Sequence, residues 1–594
     1  MQNSKSISSI NWYASDFDES LVKKISRKFK ISYYLSQILV SRGIDIKEID
    51  NFLYPKIKNN LPNPSSLSNV SLAADIIYKS IIHKKKITIF GDYDVDGATS
   101  SAILKKFFSE INFLVNIYIP DRVTEGYGPS KDAFKKIKDN GCDIIITVDC
   151  GAASHDVIEY ANEINLDVIV IDHHIGHKVN PDAAAVINPN SYNEIFPYKN
   201  LCAAGVVFLF IVELNKKLRD NLFYNNIKEP VIYNYIDLVA LGTICDVMKL
   251  DHLNRSFVYQ GLKLINKKLN IGINSLISKA QITDKITSYH LGYLIGPRIN
   301  AGGRIGESYL GSKLLSSNCH DESFIIANQL DEYNIERKKI ESEATTQAFD
   351  LISNHDIYNC EKPIILAYSN NWHEGIIGIV ASRVKEFYNK PTIIITFNKD
   401  KIGKASCRSI DGIDFGKLII DGCNNNFLIN GGGHAMAGGF TINYDKLESL
   451  YNYWCHKIGG DVVTLTQNIT KKYDCAISLD NISLELIHEI NKLEPYGVGN
   501  PRPKFLIKDV RIVSFKYIGK NSDHVSLILS CKSNFRSISH SAVIFNIKGK
   551  PIESLITSSS KNLLIDIIAA ININIWNNKQ NIQIIIDDII IKYA

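Results

Sequence analysis

Aspartates occupy alternate positions in the stretch GDYDVDG, where Asp92, Asp94 and Asp96 follow the apolar run ITIF. This run is typical of a buried strand. If the strand continues through the aspartates, residues two apart point to the same face, and the three carboxylates crowd one face at the carboxyl end of the strand. Carboxylates this close repel one another, so the spacing predicts a cation between them.

Further acids and histidines follow other apolar runs of the chain. Asp149 comes after IIITV, Asp172, His173 and His174 come after VIVI, and Asp246 lies within LGTICDVMKL. Carboxylates with some imidazole and no thiolate favour Mg²⁺ or Mn²⁺ over a structural zinc. The set is large enough for two ions about 3.5–4 Å apart with one bridging carboxylate, an arrangement that activates water and stabilises the leaving oxygen in an attack on phosphorus.

Plainer explanations exist for each of these residues taken alone. An aspartate after a strand is ordinarily a turn residue or a helix cap, and a pair of histidines is ordinarily surface or packing. For GDYDVDGATS alone, the metal site and the turn remain equally open. Three acidic strand ends in one parallel sheet are harder to explain in this way, and they favour the metal site.

The elements that would position these residues alternate along the chain. Between about residues 70 and 190, helical spacings such as SLAADIIYKSIIHK and TSSAILKKFFSEI are separated by short β-branched runs such as ITIF, DIIITVD and DVIVID. Such alternation predicts parallel strands joined by crossover helices, a doubly wound sheet. Ligands of such sheets bind beyond the carboxyl ends of the strands, where these acids fall.

The downstream half of the chain changes pattern twice. The stretch DEYNIERKKIESEATTQAFDLI lacks Gly and Pro and predicts a long helix joining two lobes. A second α/β unit follows and ends in the glycine-rich NGGGHAMAGGF. Most glycine runs are turns, but His434 within this one favours close approach of the backbone to a phosphate. From Lys504 onward, strand-like text predicts a small β-barrel, of the OB type that binds single strands.

One segment of this predicted barrel carries Phe515, Lys516, Tyr517 and Lys520. Aromatic faces stack on bases, and lysines track phosphates. Strand alternation places Phe515 and Tyr517 on one face and Lys516 on the other, so not all of them can contact the same DNA strand. The alternative, that the two aromatic side chains fill the barrel core, stays open.

Composition narrows the class of protein. The chain has 594 residues and is 45% hydrophobic and 22% charged, so it can bury hydrophobic cores. Its formal net charge of +5 is small for this length and does not by itself indicate nucleic-acid binding, although local basic patches could still bind nucleic acid. Its 11 cysteines include no C-x-x-C pair, which favours reduced thiols in a cytoplasm. We find no signal peptide and no apolar run of membrane-spanning length, and we therefore expect a cytoplasmic protein with no membrane partner.

The motifs together carry a family resemblance. DYDVDG, VDCG, DHH and CDVM resemble the four successive motifs of the DHH phosphoesterase superfamily, and GGGHAMAGGF resembles the signature of its accessory DHHA1 domain. PDRVTEGYG, PRINAGGRIG, WHEGIIGIVASRV and LEPYGVGNPRPKF are similar to stretches of the RecJ family of bacterial single-strand-specific DNA exonucleases, and the resemblance runs from about residue 20 to the end. It implies 5′-to-3′ hydrolysis of single-stranded DNA, in repair and recombination, with two Mn²⁺ or Mg²⁺ ions.

The resemblance also implies roles for individual residues. The implied metal ligands are Asp92, Asp94, Asp96, Asp149, His173 and Asp246, with Asp149 as the bridge, and the implied catalytic residues are Asp149, His174 and Asp96. Whether Asp92 and His174 ligate metal directly stays open. Asp172 is expected to orient a ligand histidine through a hydrogen bond.

Substrate contacts are implied in the same way. The residues expected to contact backbone phosphates near the metals are Arg298, Asn300 and Arg304, those expected in a pocket for a 5′-terminal phosphate are Arg122, Ser406 and Arg408, and His434 completes the set. Arginine suits such sites because it binds phosphate oxygens bidentately. The alternative for each arginine is an ion pair with a surface acid.

The expected architecture is a parallel-sheet DHH domain joined by a long helix to an α/β DHHA1 domain, followed by an OB-type β-barrel. We expect residues 1–69 as an N-terminal segment packing on the core, 70–318 as the DHH domain, 319–355 as the connecting helix, 356–466 as the DHHA1 domain and 467–594 as the OB-fold domain. The expected partners of this monomer are single-stranded DNA, a single-stranded-DNA-binding protein and a repair helicase. Two other functions stay open: a DHH-family phosphodiesterase acting on oligonucleotides or cyclic dinucleotides, and a non-catalytic replication scaffold.

Overall fold

The structure is a computed structural model that describes residues 6–122, 124–126, 128–354, 361–467, 469–519, 521–532, 537–558, 564–576 and 579–591. Contacts divide the chain into two compact units, one made of residues 1–54, 460–494 and 501–594, and the other made of residues 55–459 and 495–500. Within the described ranges, no helix combines the length and the apolar character needed to cross a membrane.

The secondary structure follows the chain in this order. The strands are β1 Asn11–Ala14, β2 Ile87–Gly91, β3 Val115–Tyr118, β4 Ile144–Val148, β5 Asp167–Ile171, β6 Ala185–Ile187, β7 Ile365–Ser369, β8 Thr392–Phe397, β9 Ile402–Arg408, β10 Asn430–His434, β11 Ala437–Asn443, β12 Thr470–Tyr473, β13 Cys475–Ser478, β14 Phe505–Ile518, β15 His524–Lys532, β16 Ser537–Ile544, β17 Leu564–Trp576 and β18 Lys579–Ile591. The helices are α1 Glu19–Phe29, α2 Tyr33–Ser41, α3 Ile49–Leu53, α4 Ile57–Asn60, α5 Val70–Ile82, α6 Val95–Glu110, α7 Lys131–Asp139, α8 His155–Glu163, α9 Ala203–Asp220, α10 Ile236–Cys245, α11 His252–Asn266, α12 Ile271–Lys279, α13 Ser288–His290, α14 Gly296–Ile305, α15 Leu310–Ser316, α16 His320–Asn354, α17 Ile377–Tyr388, α18 Phe415–Asn424, α19 Leu447–Gln467, α20 Leu484–Ile490 and α21 Pro551–Ser558.

The first sheet is parallel throughout and confirms the doubly wound prediction. Its strand order is β3-β2-β4-β5-β6. Alternate residues of β4 face opposite layers, because Ile144 and Ile146 join the larger core with α5, α6 and α9, whereas Ile145 joins a second core with α7 and α8. Helices therefore cover both faces, which explains why these strands are continuous apolar runs rather than alternating ones.

A long helix and a mixed sheet complete this unit. α16 spans 35 residues, His320–Asn354, and its buried residues Ala344, Ala348 and Ile352 pack against β7 and α17. The sheet order is β10-β11-β9-β8-β7, in which only β7 and β8 are parallel. The predicted helix and second α/β unit are thus confirmed.

The glycine-rich stretch forms an edge hairpin of this sheet. β10 and β11 pair antiparallel, with Gly431 opposite Phe440 and Gly433 opposite Gly438. A Cβ added at Gly438 would come within 2.4 Å of Cδ1 of Ile419, and one at Gly431 within 2.7 Å of Cγ2 of the same residue. The glycines therefore let α18 pack closely on the hairpin, and this packing accounts for the glycines without a bound phosphate.

The other unit contains the C-terminal barrel. β14, β15, β16, β18 and β17 pair in that order, and β17 pairs back with β14, which closes a five-stranded barrel that β13 extends. This confirms the predicted OB-type domain. Residues 1–54 group with the barrel, since β1 pairs with β12 and Trp12 Nε1 donates to the buried Asp588 Oδ2 at 2.8 Å. Residues 55–69 group instead with the other unit, and the expected N-terminal segment of residues 1–69 stays a prediction.

Candidate active site

The three alternate aspartates meet through a turn and not through a continued strand. β2 ends at Gly91, and Asp94 caps α6, its Oδ1 accepting hydrogen bonds from N of Asp96 at 2.9 Å and N of Gly97 at 3.0 Å. The expectation that the strand runs through all three is therefore wrong, because the capping hydrogen bonds start a helix at Val95. Asp96 instead points into the protein from the first helical turn, where it is 1% exposed.

The second acidic position follows β4. Asp149 has a φ of +63°, in the left-handed region that a non-glycine residue rarely adopts, and its N–H donates to Ile171 O at 3.0 Å. At Gly151, φ is +109°, and an added Cβ would lie 2.8 Å from Thr147 Oγ1. This strained turn directs the Asp149 carboxylate to the edge of the sheet where the other acids lie.

The histidines are held by hydrogen bonds from both sides. Asp172 Oδ1 accepts from N of His173 at 2.7 Å and from Nδ1 of His174 at 2.8 Å, and its Oδ2 accepts from N of Ala152 at 2.9 Å. Asn190 Nδ2 donates to the carbonyl of His173 at 2.6 Å. Asp172 therefore orients His174, in the way the sequence analysis expected of it for a ligand histidine.

Asp246 reaches the site from the end of a helix. It caps α10, and Met248 N donates back to Thr243 O at 3.1 Å, which closes the helix end. Val247 has a φ of +59°, an outlier for a β-branched residue. The backbone is thus bent sharply directly after Asp246, at the point where its carboxylate leaves the helix.

Acceptor atoms converge without hydrogen-bond partners at the centre of the site. His173 Nε2 lies 3.2 Å from Asp149 Oδ1, 3.5 Å from Asp246 Oδ2 and 3.8 Å from Asp96 Oδ2. Within the described residues, Asp149 Oδ1, His173 Nε2 and Asp246 Oδ2 are buried and receive no hydrogen bond. Buried polar atoms are costly when unpaired, so their convergence fits a bound cation.

Three groups of ligands can be distinguished, and the third shares a residue with each of the other two. Asp92, Asp94 and Asp149 offer atoms within 4.8 Å of one another, and so do Asp96, His173 and Asp246. Asp149 also joins His173 and His174 in a third such group, so it lies between the first two. The structure thus brings together all six residues of the expected ligand set, in an arrangement that leaves room for a shared Asp149.

Crowding changes the acidity of the site. Burial, reinforced by Asp96 and Asp94, raises the pKa of Asp246 to about 9, and burial with Asp94 raises the pKa of Asp96 to about 7. Burial and the neighbouring aspartates likewise raise the pKa of Asp149 and of Asp92 well above the usual range. A divalent cation would reverse this effect, because it favours the ionised carboxylates.

The pKa values of the two histidines shift in opposite directions. Burial and the charge of its neighbour lower the pKa of His173 to about 4, so its ring is neutral and suited to a metal. Although burial opposes its charged form, the hydrogen bond that its ring donates to the Asp172 carboxylate raises the pKa of His174 to about 9. His174 is therefore a cation at neutral pH and is suited to a phosphate oxygen.

The expected substrate arginines separate into two kinds. Arg298 Nε lies 2.9 Å from Asp331 Oδ1, and Nη1 donates to Leu294 O at 2.7 Å, so this side chain already has an acid partner. Arg408 Nη1 donates to Ser406 Oγ at 3.2 Å and to Cys407 O at 2.8 Å, and Nε donates to Ser382 Oγ at 3.1 Å. The ion-pair alternative thus describes Arg298, whereas Arg408 has neutral partners.

Arg304 lies close to other cations. Its Nη1 donates to Gly375 O at 2.9 Å. Burial and the neighbouring charges of Arg122 and Arg337 lower the pKa of Arg304 to about 10, so it remains charged at neutral pH. Within the described residues, no carboxylate forms an ion pair with Arg122, Arg304 or Arg408. A cluster of cations without counter-ions is suited to a polyanion.

Asn300 and His434 are placed without a defined role. Asn300 lies half-buried in α14, between Arg298 and Arg304, and His434 is exposed at the end of β10. His434 is close enough to His173 for its charge to contribute to lowering the pKa of that ring. Their proposed phosphate contacts stay predictions.

Sequence reasoning missed the residues that join the long helix α16 to α17. Glu341 of α16 is buried, accepts from Arg337 Nη1 at 2.6 Å and lies 3.3 Å from Nε of Arg383 of α17. Ser382, the residue before Arg383 in α17, accepts a hydrogen bond from Nε of Arg408 through its hydroxyl oxygen. The i,i+4 spacing of Arg337 and Glu341 was a readable signal for their pairing, but nothing in the sequence pointed to their contact with α17.

The barrel unit carries its aromatic pair on the outside. Phe515 is 43% exposed and Tyr517 is 38% exposed, and their ring centroids are 6.4 Å apart at an interplanar angle of 82°. The alternative that both fill the barrel core is therefore wrong, since β14 exposes all its residues from Ser514 to Tyr517. Lys520 lies outside the described residues.

Three family descriptions match the chain. The DHH family N-terminal domain matches residues 86–243, the DHHA1 domain matches residues 361–460, and the RecJ OB domain matches residues 473–588. The chain is 30% identical over 584 residues to the single-stranded-DNA-specific exonuclease RecJ of Bacillus subtilis, covering 98% of this chain and 71% of that protein. It is 32% identical over 489 residues to the protein of that name from Escherichia coli, covering 79% and 82%.

Solved structures share the fold. The chain matches RecJ from Thermus thermophilus in complex with Mn²⁺ with a TM-score of 0.79, at 23% identity, over 98% of this chain and 80% of that chain. The same protein in complex with Mg²⁺ matches with a TM-score of 0.72 at 22% identity, over 98% and 79%. At this identity the likeness establishes the architecture, and the arrangement of the ligands rests on the distances given above.

Proposed function

The chain belongs to the RecJ family of single-stranded-DNA-specific exonucleases, and from that premise we propose how its site works. The protein is a metal-dependent exonuclease that acts on single-stranded DNA with Mn²⁺ or Mg²⁺ as cofactor. We propose that it holds two ions and removes nucleotides from the 5′ end. The observation that carries the proposal is the convergence of Asp149 Oδ1, His173 Nε2 and Asp246 Oδ2, buried and without hydrogen bonds in the described structure.

In the proposed site, Asp149 is shared between two ion positions. Asp92 and Asp94 would hold one ion, and Asp96, His173 and Asp246 would hold the other. Bound divalent ions supply an activated water and stabilise the negative charge on the leaving oxygen. The protein's part is to fix the ligands: Asp96 accepts from the N–H groups of Ala203 at 2.5 Å and Ala204 at 2.9 Å, which leaves its carboxylate a single orientation.

His174 provides a positive charge beside the ions. Asp172 holds its ring through Nδ1, so Nε2 is the nitrogen left to face the substrate. As a cation at neutral pH, the ring donates a hydrogen bond to a non-bridging oxygen of the scissile phosphate. This role distinguishes it from neutral His173, whose Nε2 faces the acids.

We propose that the 5′ end is recognised between the two α/β domains. Arg408 and Ser406 come from β9 and Arg122 from the loop after β3, and none of the three has an acid partner in the described structure. A terminal phosphate carries about two negative charges at neutral pH, which a pair of guanidinium groups and a hydroxyl can bind. An end stop of this kind makes the enzyme an exonuclease with a preferred polarity.

The remaining expectations are part of the same proposal. From the family resemblance we propose the five-part domain division, a monomeric state and a cytoplasmic location. We also propose two protein partners, a single-stranded-DNA-binding protein and a repair helicase. Exposed Phe515 and Tyr517 support a role for the barrel in holding the strand, because aromatic faces stack on bases. The site retains every expected ligand, which argues against a non-catalytic scaffold.

Digestion of end-labelled substrates tests this proposal. Single-stranded DNA, duplex DNA and RNA are labelled at the 5′ or 3′ end and incubated with Mn²⁺ or Mg²⁺. We expect mononucleotides from 5′-labelled single strands at the earliest times, and a ladder of shortened products from 3′-labelled ones. Early mononucleotide release from the 3′ label would reverse the proposed polarity, and cleavage restricted to dinucleotides would favour the oligonucleotide phosphodiesterase instead.

A further inference from the structure

Tyr93 lies between the metal-binding acids and the arginine cluster. It separates Asp92 from Asp94 in the sequence, and its ring is half-buried. The Arg122 guanidinium carbon lies 5.1 Å from the centroid of this ring, within the range of a cation–π contact. Asp92 Oδ1 accepts from N of Tyr93 at 2.8 Å, so the backbone that carries the ring is tied to the metal site.

The ring is held in place by a glycine of α14. A Cβ added at Gly303 would lie 2.9 Å from Cδ2 of Tyr93 and 3.1 Å from its Cβ, so only a residue without a side chain leaves room for the ring here. Arg304 is the next residue of α14. Burial and the charge of Asp92 raise the pKa of Tyr93 to about 12, although the charges of Arg122 and Arg304 oppose this shift. The phenol is therefore neutral, and the ring is packed on the helix that presents Arg304.

In the part of the chain that the structure describes, the guanidinium of Arg122 has few contacts besides the Tyr93 ring. Among the described residues, no carboxylate forms an ion pair with it and no hydrogen-bond acceptor is found for its guanidinium. A free arginine side chain has many rotamers, and ordering it on binding lowers affinity. An aromatic face that already carries the guanidinium reduces that loss, since arginine stacks well on aromatic rings.

We propose that Tyr93 is a positioning residue, whose ring presents Arg122 to the terminal phosphate of the DNA strand beside the metal-binding acids. The inference rests on the proposed 5′-end recognition and adds a residue to it. It also explains an aromatic residue between Asp92 and Asp94, because the ring contacts Arg122 of the proposed phosphate pocket while the backbone N–H donates to Asp92 of the proposed metal site. The plainer explanation is that Tyr93 only fills space against Gly303.

Substitutions at Tyr93 separate these two explanations. Tyr93→Phe keeps the ring face and Tyr93→Leu removes it, while both fill the space against Gly303. The ratio of kcat/KM for 5′-phosphorylated over 5′-hydroxyl single strands is measured for each. We expect Tyr93→Phe to keep the wild-type ratio, and Tyr93→Leu to lower it about fivefold, the size of a cation–π contact, through a higher KM for the phosphorylated strand. An unchanged ratio in Tyr93→Leu overturns the inference.

A double-mutant cycle with Arg122→Ala tests whether Tyr93 acts through Arg122. We expect Tyr93→Leu to have no further effect on the ratio once Arg122 is alanine, whereas additive effects overturn the inference. If Tyr93→Leu fails to fold, Arg122→Lys serves instead: it keeps the charge but loses the stacked guanidinium, and a wild-type ratio in this variant overturns the inference. A wild-type enzyme without preference for a 5′-phosphate would reject the end pocket as well, and a wild-type preference that Tyr93→Leu leaves intact rejects only the role of Tyr93.

Discussion

Replacing Asp149 with asparagine is the sharpest test of the shared-ligand arrangement. Asp149 belongs to two of the three ligand groups and sits at a φ of +63°. Alanine is disfavoured in this conformation, whereas asparagine tolerates it better than most residues. Asp149→Asn therefore removes the charge while it keeps the backbone, and a loss of activity can be assigned to the carboxylate.

The size of the effect follows from the distances in the site. Within each group the ligand atoms lie within 4.8 Å of one another, so an ion held among them would lie no farther than this from Asp149. Two unit charges at that separation interact by about 3.5 kcal/mol at an effective dielectric constant of about 20, which corresponds to a few hundredfold in an equilibrium constant. Since Asp149 would face both ions, we expect Asp149→Asn to slow turnover about a thousandfold or more, or about 4 kcal/mol of barrier.

Three measurements on the purified variant make the test. Turnover of a 5′-phosphorylated single strand is measured at saturating Mn²⁺, Mn²⁺ affinity is measured by electron paramagnetic resonance, and thermal unfolding is followed with and without Mn²⁺. Asp509→Asn is the matched control, because Asp509 has a φ of +56° but lies in the barrel unit. We expect this control to behave as wild type in all three measurements.

Near-normal turnover of Asp149→Asn at saturating Mn²⁺ would refute the shared-ligand arrangement. If Mn²⁺ binding were weaker in the same variant, Asp149 would hold an ion without bridging two, and unchanged Mn²⁺ binding would remove it from the ligand set. A metal-free variant that melts well below the wild type would mean that the substitution damaged the fold, contrary to our expectation that one fewer buried carboxyl leaves the metal-free protein at least as stable.

Four further predictions concern the surroundings of this site. Arg408→Ala should lower the preference for 5′-phosphorylated over 5′-hydroxyl ends about tenfold or more, as the loss of a charge-assisted phosphate contact does, and an unchanged ratio of rates would place the pocket elsewhere. The pKa values of Asp96 (about 7) and Asp246 (about 9) lie above those of the unfolded chain, so metal-free protein should lose stability as pH rises from 6.5 to 9; a flat melting temperature over this range would contradict the shifts, and Mn²⁺ should reverse the loss. Asp172→Asn should lower the pKa of His174 from about 9 toward its usual range, so that activity declines above about pH 7, where the wild type is still active; identical pH–rate profiles would exclude the role of the pair. Replacing Phe515 and Tyr517 together with serine should weaken binding of long single strands by ~1–3 kcal/mol per stacked base while sparing very short oligonucleotides, and equal affinities in a filter-binding salt series would leave the pair without a role in DNA binding.

The sequence was informative where local pattern determines structure. Parallel strands could be read from the β-branched runs, and their carboxyl ends had to meet at one edge, so the convergence of Asp92, Asp149 and His173 was predictable. The local path was not, because capping of α6 by Asp94 competes with strand continuation, and the hydrogen bonds of the cap determine the outcome.

Contacts between distant segments were beyond sequence reasoning. The aspartate that pairs with Arg298 is Asp331, which lies 33 residues later in the chain. The ring that Arg122 contacts belongs to Tyr93, 29 residues earlier, whose position depends on the whole sheet. The glycines of the edge hairpin could be seen, but their reason, the approach of Ile419, depends on the packing of α18. Such facts follow from tertiary packing, for which a single sequence carries no direct signal.

The hydrogen bond between the first and the last strand of the chain has a consequence for biosynthesis. Trp12 and Asp588 are separated by 576 residues, so their contact forms only when nearly the whole chain has left the ribosome. Residues 55–459 have their own core and can fold as they emerge, because domains generally fold as units during synthesis. The order of synthesis thus completes the metal-binding active site first and the C-terminal barrel last. A translation product interrupted before the barrel would carry the candidate metal ligands but lack the aromatic surface of β14.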